Sequence, residues 1–137
     1  MKKQLILVFL LAWGCSPAQK KDDTATTAVS TVLDAKTFKD KVASAKGNAV
    51  LLDVRTPEEV AEGIIPGAII MDFRAPDFED KISKLDKSKD YFVYCKAGIR
   101  STKAVTLMES TGFTKVYNLD GGYDAWVANG FETQKPE

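Results

Sequence analysis

The 137-residue chain contains no histidine. That absence removes the commonest general base near neutral pH, and with it the histidine-dependent catalytic triads and most zinc sites. Cysteine is nearly as scarce. The two present, Cys15 and Cys95, lie in unlike contexts, which points to thiol chemistry rather than to a disulfide framework. Charge of one sign is also missing, because 19 basic residues face 19 acidic ones. Nothing in that balance favours nucleic acid as a partner. Finally, no apolar run approaches the roughly 20 residues that cross a bilayer as a helix.

What remains is an ordinary globular composition, 45% hydrophobic and 28% charged, of a length that suits one domain. The first residues stand apart. Met1-Lys2-Lys3 precedes the apolar run Leu5 to Ala12, a cationic segment before a short apolar one, which reads as a signal peptide over residues 1–14. The run ends Leu11-Ala12-Trp13-Gly14-Cys15 and resembles a bacterial lipobox, although Ala12 and Trp13 depart from the usual residues. The resemblance implies cleavage before Cys15 and lipid attachment to it. The expectation is a protein of the bacterial cell envelope, lipid-anchored and facing the periplasm or the cell surface. A plain secreted protein is the alternative. Residues 15–30 lack aromatics and any hydrophobic period, so they read as the lipidated cysteine and a disordered tether. The globular domain is expected over residues 31–134.

Within that domain strands and helices alternate. Asp34 caps a helix with Ala35, Phe38, Val42 and Ala45 on one face. The continuous apolar run from Ala49 to Val54 suits a buried parallel strand. Thr56-Pro57-Glu58-Glu59 carries a capping box with proline in the first turn. Ala68 to Met71 reads as a strand, Phe78, Ile82 and Leu85 mark a short helix, and Tyr91 to Tyr94 is a strand of aromatic and β-branched residues. A helix follows from about Arg100, then a strand over Val116 to Leu119. Gly121-Gly122 leads into a last helix in which Tyr123, Trp126 and Val127 share a face. This alternation predicts an α/β fold, a parallel sheet of about five strands with helices on both faces. Sites in such sheets lie beyond the carboxyl ends of the strands.

Cys95 stands at one of those ends. The stretch Cys95-Lys96-Ala97-Gly98-Ile99-Arg100-Ser101 leads from a buried strand into a helix, where unpaired N–H groups and the helix dipole favour negative charge. A lowered thiol pKa is expected there. Gly98 permits the bend that converges N–H groups, Arg100 offers a two-pronged fork for an oxyanion, and Ser101 adds a hydrogen bond or caps the helix. Lys96 reads equally well as a solvated loop lysine.

This loop resembles the active-site loop of single-domain rhodaneses. Three further stretches agree in order: Leu52 to Glu59 with the Asp-Val-Arg signature, Ala61 to Ala68 with the Gly-His-Ile-Pro-Gly-Ala signature, and Leu119 to Trp126 with the Gly-Gly…Trp signature. Ile64 stands where the family often has histidine. The resemblance spans roughly residues 30–134. It implies a sulfurtransferase with Cys95 as nucleophile and residues Lys96 to Ser101 binding the substrate. Asp53 and Arg55 would support the site from behind. No cofactor or metal is implied, because the sulfur is carried as a persulfide on Cys95. The implied partners are a small sulfur donor such as thiosulfate and a thiol or cyanide acceptor; the protein is expected to be a monomer. Two alternatives stay open. One is a non-catalytic sulfur carrier or redox sensor. The other is a relative of phosphatases and arsenate reductases, although only four residues separate Cys95 from Arg100, one fewer than in their loops.

Overall fold

The computed structural model describes residues 29–137. The signal peptide, Cys15 and most of the tether read from the sequence lie outside the described residues. Five parallel strands form one sheet: β1 (Val29–Leu33), β2 (Ala49–Asp53), β3 (Ile69–Ile70), β4 (Asp90–Tyr94) and β5 (Lys115–Leu119). Their order across the sheet is β1-β5-β4-β2-β3, which places β4 at the centre. The connecting helices are α1 (Ala35–Ser44), α2 (Pro57–Ala61), α3 (Phe78–Ser83), α4 (Ile99–Ser110) and α5 (Gly122–Ala128).

Successive strand residues face opposite sides of a sheet, and the central strands are apolar on both. Leu52, Tyr91 and Val93 join Phe78 and Ile82 of α3 and Ala104, Val105 and Met108 of α4 in one core cluster. Leu51, Phe92 and Tyr94 join Phe38 of α1 and Trp126 of α5 in the other. The expected α/β layering with helices on both faces is the observed one. Asp34 caps α1 as its sequence position implies, its carboxylate accepting the Thr37 N–H at 2.9 Å.

The boundaries differ from expectation in instructive ways. Val29 and Ser30, assigned to the tether by their polar surroundings, belong to β1 and pair with Lys115 and Val116 of β5. The Val-Ser-Thr-Val-Leu run has the β-branched content of a strand, but the edge position leaves Val32 62% exposed, which hid the signal. β3 is shorter than Ala68 to Met71. A turn closed by the Ala68 N–H on the Ile65 carbonyl precedes it, and Met71 adds one more bond, to the Asp53 carbonyl, beyond its end. On α5, Trp126 is buried, whereas Val127 is half exposed instead of sharing the core face.

Candidate active site

Cys95 is the first residue after the central strand. Its side chain belongs to the core cluster on the α4 side, and the residue is 1% exposed. It is the free cysteine among the described residues. The sulfur is nonetheless not in hydrocarbon alone. The Gly98 N–H donates to Sγ at 3.1 Å, and the Ser101 hydroxyl lies 3.4 Å away. Burial, the largest influence, pushes the thiol pKa up. The Ser101 hydroxyl and the N–H groups of Ser101, Gly98 and Ala97 together outweigh it, and the Cys95 pKa falls below that of an ordinary thiol.

The loop holds this shape because other elements take its carbonyls. The Tyr123 N–H donates to the Cys95 carbonyl at 2.8 Å, and the Asp124 N–H to the Lys96 carbonyl at 3.0 Å. Both donors are unpaired first-turn groups of α5. In a trans peptide the C=O and N–H point opposite ways. Tying the Cys95 and Lys96 carbonyls to α5 therefore turns the N–H groups of Lys96 and Ala97 away from that helix. On the far side, the Gly98 carbonyl accepts from the Ser101 and Thr102 hydroxyls at 3.1 and 2.7 Å, and the Asn118 amide donates to Thr102 Oγ1 at 2.9 Å. Gly98 itself has φ +104, a conformation open to glycine at little cost.

Gly122 is the tightest point of this arrangement. A Cβ on it would lie 2.5 Å from the Lys96 carbonyl oxygen and 2.6 Å from that of Cys95, at φ +60. Gly122→Ala is expected to displace the loop, raise the Cys95 pKa and destabilise the protein by about 2 kcal/mol or more. Urea unfolding together with thiol titration checks both effects.

Arg100 projects from the first turn of α4 into a bidentate ion pair with Glu59, Nη1–Oε2 at 2.6 Å and Nη2–Oε1 at 2.7 Å. Glu59 also accepts the Thr56 N–H at 3.0 Å, completing the capping box of α2. The Arg100 fork, read from the sequence as free for an oxyanion, is thus already engaged by a carboxylate. That engagement holds the Glu59 pKa down at about 2. A carboxylate with a depressed pKa stabilises the fold above its unfolded pKa, near 4.3, and the contribution is lost as pH falls through the folded value. Replacing Glu59 by Gln should therefore cost about 1–2 kcal/mol at pH 7. The gap between the urea midpoints of wild type and variant should narrow from about pH 4.5 downward.

The remaining sequence candidates divide. Lys96 makes an exposed ion pair with Asp124, Nζ–Oδ1 2.9 Å. The Ala97 N–H adds to the groups that lower the Cys95 pKa. Ile99 is 71% exposed on the outer surface of the loop. Asp53 and Arg55 form a buried pair at the carboxyl end of β2. Asp53 Oδ1 accepts both the Arg55 N–H and Nε–H, and Oδ2 accepts from Nη2. Arg55 Nη2 also donates to the Gly63 carbonyl at 2.7 Å, tying β2 to the residues after α2. Tyr123, expected in the core, is half-buried and stacks on Arg55, with its ring centre 4.0 Å from the guanidinium carbon.

Beside the loop lies a cleft of about 450 Å³ whose walls include Glu59, Glu62, Lys96, Tyr123 and Asp124. Three contributors escaped the sequence reading. Glu59 carried a cap signal that masked its second role. Asp124 and Gly122 lay within the Gly-Gly…Trp stretch, but nothing in that stretch showed that they hold the Cys95 loop.

A family model described as Rhodanese-like domain matches residues 34–129. A sulfurtransferase of Allochromatium vinosum is 31% identical over 105 residues, which cover 77% of this chain and 95% of that one. The chloroplastic thiosulfate sulfurtransferase 16 of Arabidopsis thaliana is 40% identical over 93 residues, covering 61% of this chain and 78% of that one. Among solved structures, the rhodanese-like domain protein from Staphylococcus aureus superposes with a TM-score of 0.66 at 30% identity, covering 78% of this chain and 99% of that one. With the parallel sheet, the cysteine beyond its central strand and the amide-lined loop, these likenesses agree: the chain belongs to the rhodanese-like domain family.

Proposed function

We propose that this sulfurtransferase-family protein moves a sulfane sulfur from a small donor such as thiosulfate to a thiol or cyanide acceptor through a persulfide on Cys95. The observation that carries the reading is the Gly98 N–H at 3.1 Å from Sγ with the Ser101 hydroxyl at 3.4 Å, at a buried thiol whose pKa is nonetheless lowered. The thiolate attacks the outer sulfur of the donor and forms a new S–S bond. The old S–S bond breaks, and its electron pair leaves on sulfite when the donor is thiosulfate. Negative charge then resides on the terminal sulfur of the persulfide, and nearby N–H groups stabilise it without having to reorganise. An acceptor thiolate or cyanide attacks that terminal sulfur and returns Cys95 as thiolate, so the two half-reactions give ping-pong kinetics. No metal or cofactor enters these steps.

Arg100, engaged by Glu59, supports the loop in this reading and meets the donor only by sharing its fork. Asp53 and Arg55 fix the strand end from which the neighbouring α2 departs. The test is intact mass spectrometry after incubation with thiosulfate. One added sulfur on the wild type that is removed by cyanide, and none on Cys95→Ser, supports the proposal. An unmodified wild type overturns it. Sulfur that loads once and is not turned over with excess acceptor identifies a carrier instead.

The N-terminal signal extends the proposal to the cell envelope: cleavage before Cys15, a lipid on Cys15, and a monomeric domain held at the membrane. Cys15→Ala is expected to move the protein from the membrane to the soluble fraction on cell fractionation. Unchanged partition would mean that another segment anchors the protein.

A further inference from the structure

The loop carries two cations, and each is held by a carboxylate: Arg100 by Glu59 and Lys96 by Asp124. The first pair is partly buried and bidentate. The second is exposed at the cleft wall, with side chains 56% and 52% accessible. Lys96 is also faced by Glu62 and Glu59, whose fields add to that of Asp124 in favouring its charged form. Among the described residues Glu62 has no ion-pair partner closer than 4 Å. An anion that approaches the loop along this wall therefore meets two cations already neutralised, Lys96 by Asp124 and Arg100 by Glu59, and one further carboxylate, Glu62. Asp124 holds its neighbour twice, through its side chain to Lys96 Nζ and through its N–H to the Lys96 carbonyl. The second bond belongs to the backbone and survives replacement of the carboxylate.

We propose that Asp124 is a specificity-determining residue: by occupying Lys96, the residue that follows Cys95 and lines the adjoining cleft, its carboxylate selects against doubly charged donors in favour of singly charged ones. The proposal rests on the sulfur-transfer reading above and adds to it the charge class of the donor. The physical basis is that a dianion feels any fixed charge twice as strongly as a monoanion. Removing one negative charge and freeing one positive charge should therefore help the dianion by the square of the factor by which it helps the monoanion.

The experiment compares thiosulfate, a dianion, with methanethiosulfonate, a monoanion carrying the same transferable sulfur. The readout is the second-order rate constant of persulfide formation on Cys95, followed by mass. Asp124→Asn is expected to raise it about fourfold for thiosulfate and about twofold for methanethiosulfonate, the scale of an exposed ion pair. Asp124→Glu should return both constants to wild-type values, and 1 M salt should abolish the difference between wild type and Asp124→Asn. A purely structural role would slow both donors alike, would leave the difference in place at high salt, and would overturn the proposal, as would constants unchanged in Asp124→Asn. Wild-type protein that takes up sulfur from neither donor would overturn the sulfur-transfer reading itself.

Discussion

Cys95→Ser is expected to reduce sulfur transfer to the uncatalysed background while leaving the urea midpoint within the scatter of a conservative substitution. A hydroxyl in place of the thiol ionises far above neutral pH and forms no persulfide, so the covalent half-reaction is lost rather than slowed. The fold should tolerate the change because the site is already polar where the sulfur sits. The serine oxygen inherits the Gly98 N–H and the Ser101 hydroxyl as partners. Transfer assays with thiosulfate and cyanide, run beside urea unfolding, separate the two effects. Residual turnover well above background would assign the chemistry elsewhere.

Arg55→Met is expected to have the largest effect on stability, about 3–5 kcal/mol. The substitution keeps much of the side-chain volume and removes the charge. It leaves Asp53, a fully buried carboxylate, without its charged partner and with only neutral donors, the backbone N–H of residue 55 and the Tyr94 hydroxyl. It also abandons the Gly63 carbonyl and the stacking against Tyr123. An unpaired buried charge is far costlier than the absent pair. The double replacement Asp53→Leu with Arg55→Met should therefore recover part of the loss. Urea unfolding of the single and double variants measures this coupling. Equal midpoints for wild type and Arg55→Met would show that the pair adds nothing.

Much of this was legible in the residues. The sheet was readable because β2 and β4 are nearly continuous apolar runs, as strands covered on both faces must be, and because Asp34 and Thr56 mark helix starts by local chemistry. The sulfur-binding loop was readable because a cysteine between a strand and a helix, with glycine three residues on, meets unpaired N–H groups wherever that pattern folds. What escaped is what depends on contacts distant in sequence. β1 lay hidden because an edge strand needs only one apolar face. The engagement of Arg100 by Glu59 joins residues 41 apart, and each has a sufficient local explanation, fork and cap, that conceals the other. The same holds for Asp124 and Lys96, 28 apart. Gly122 could not be singled out from Gly121 until the Lys96 carbonyl was seen against it.

The central claim is that backbone N–H groups opening α4, with Ser101, stabilise negative charge on a buried sulfur. Titration of thiolate ultraviolet absorbance, taken as wild type minus Cys95→Ser, tests it directly. An apparent pKa below the roughly 8.5 of a free cysteine thiol is expected. Ionisation at or above that value would mean that burial wins over the amides, and would contradict it.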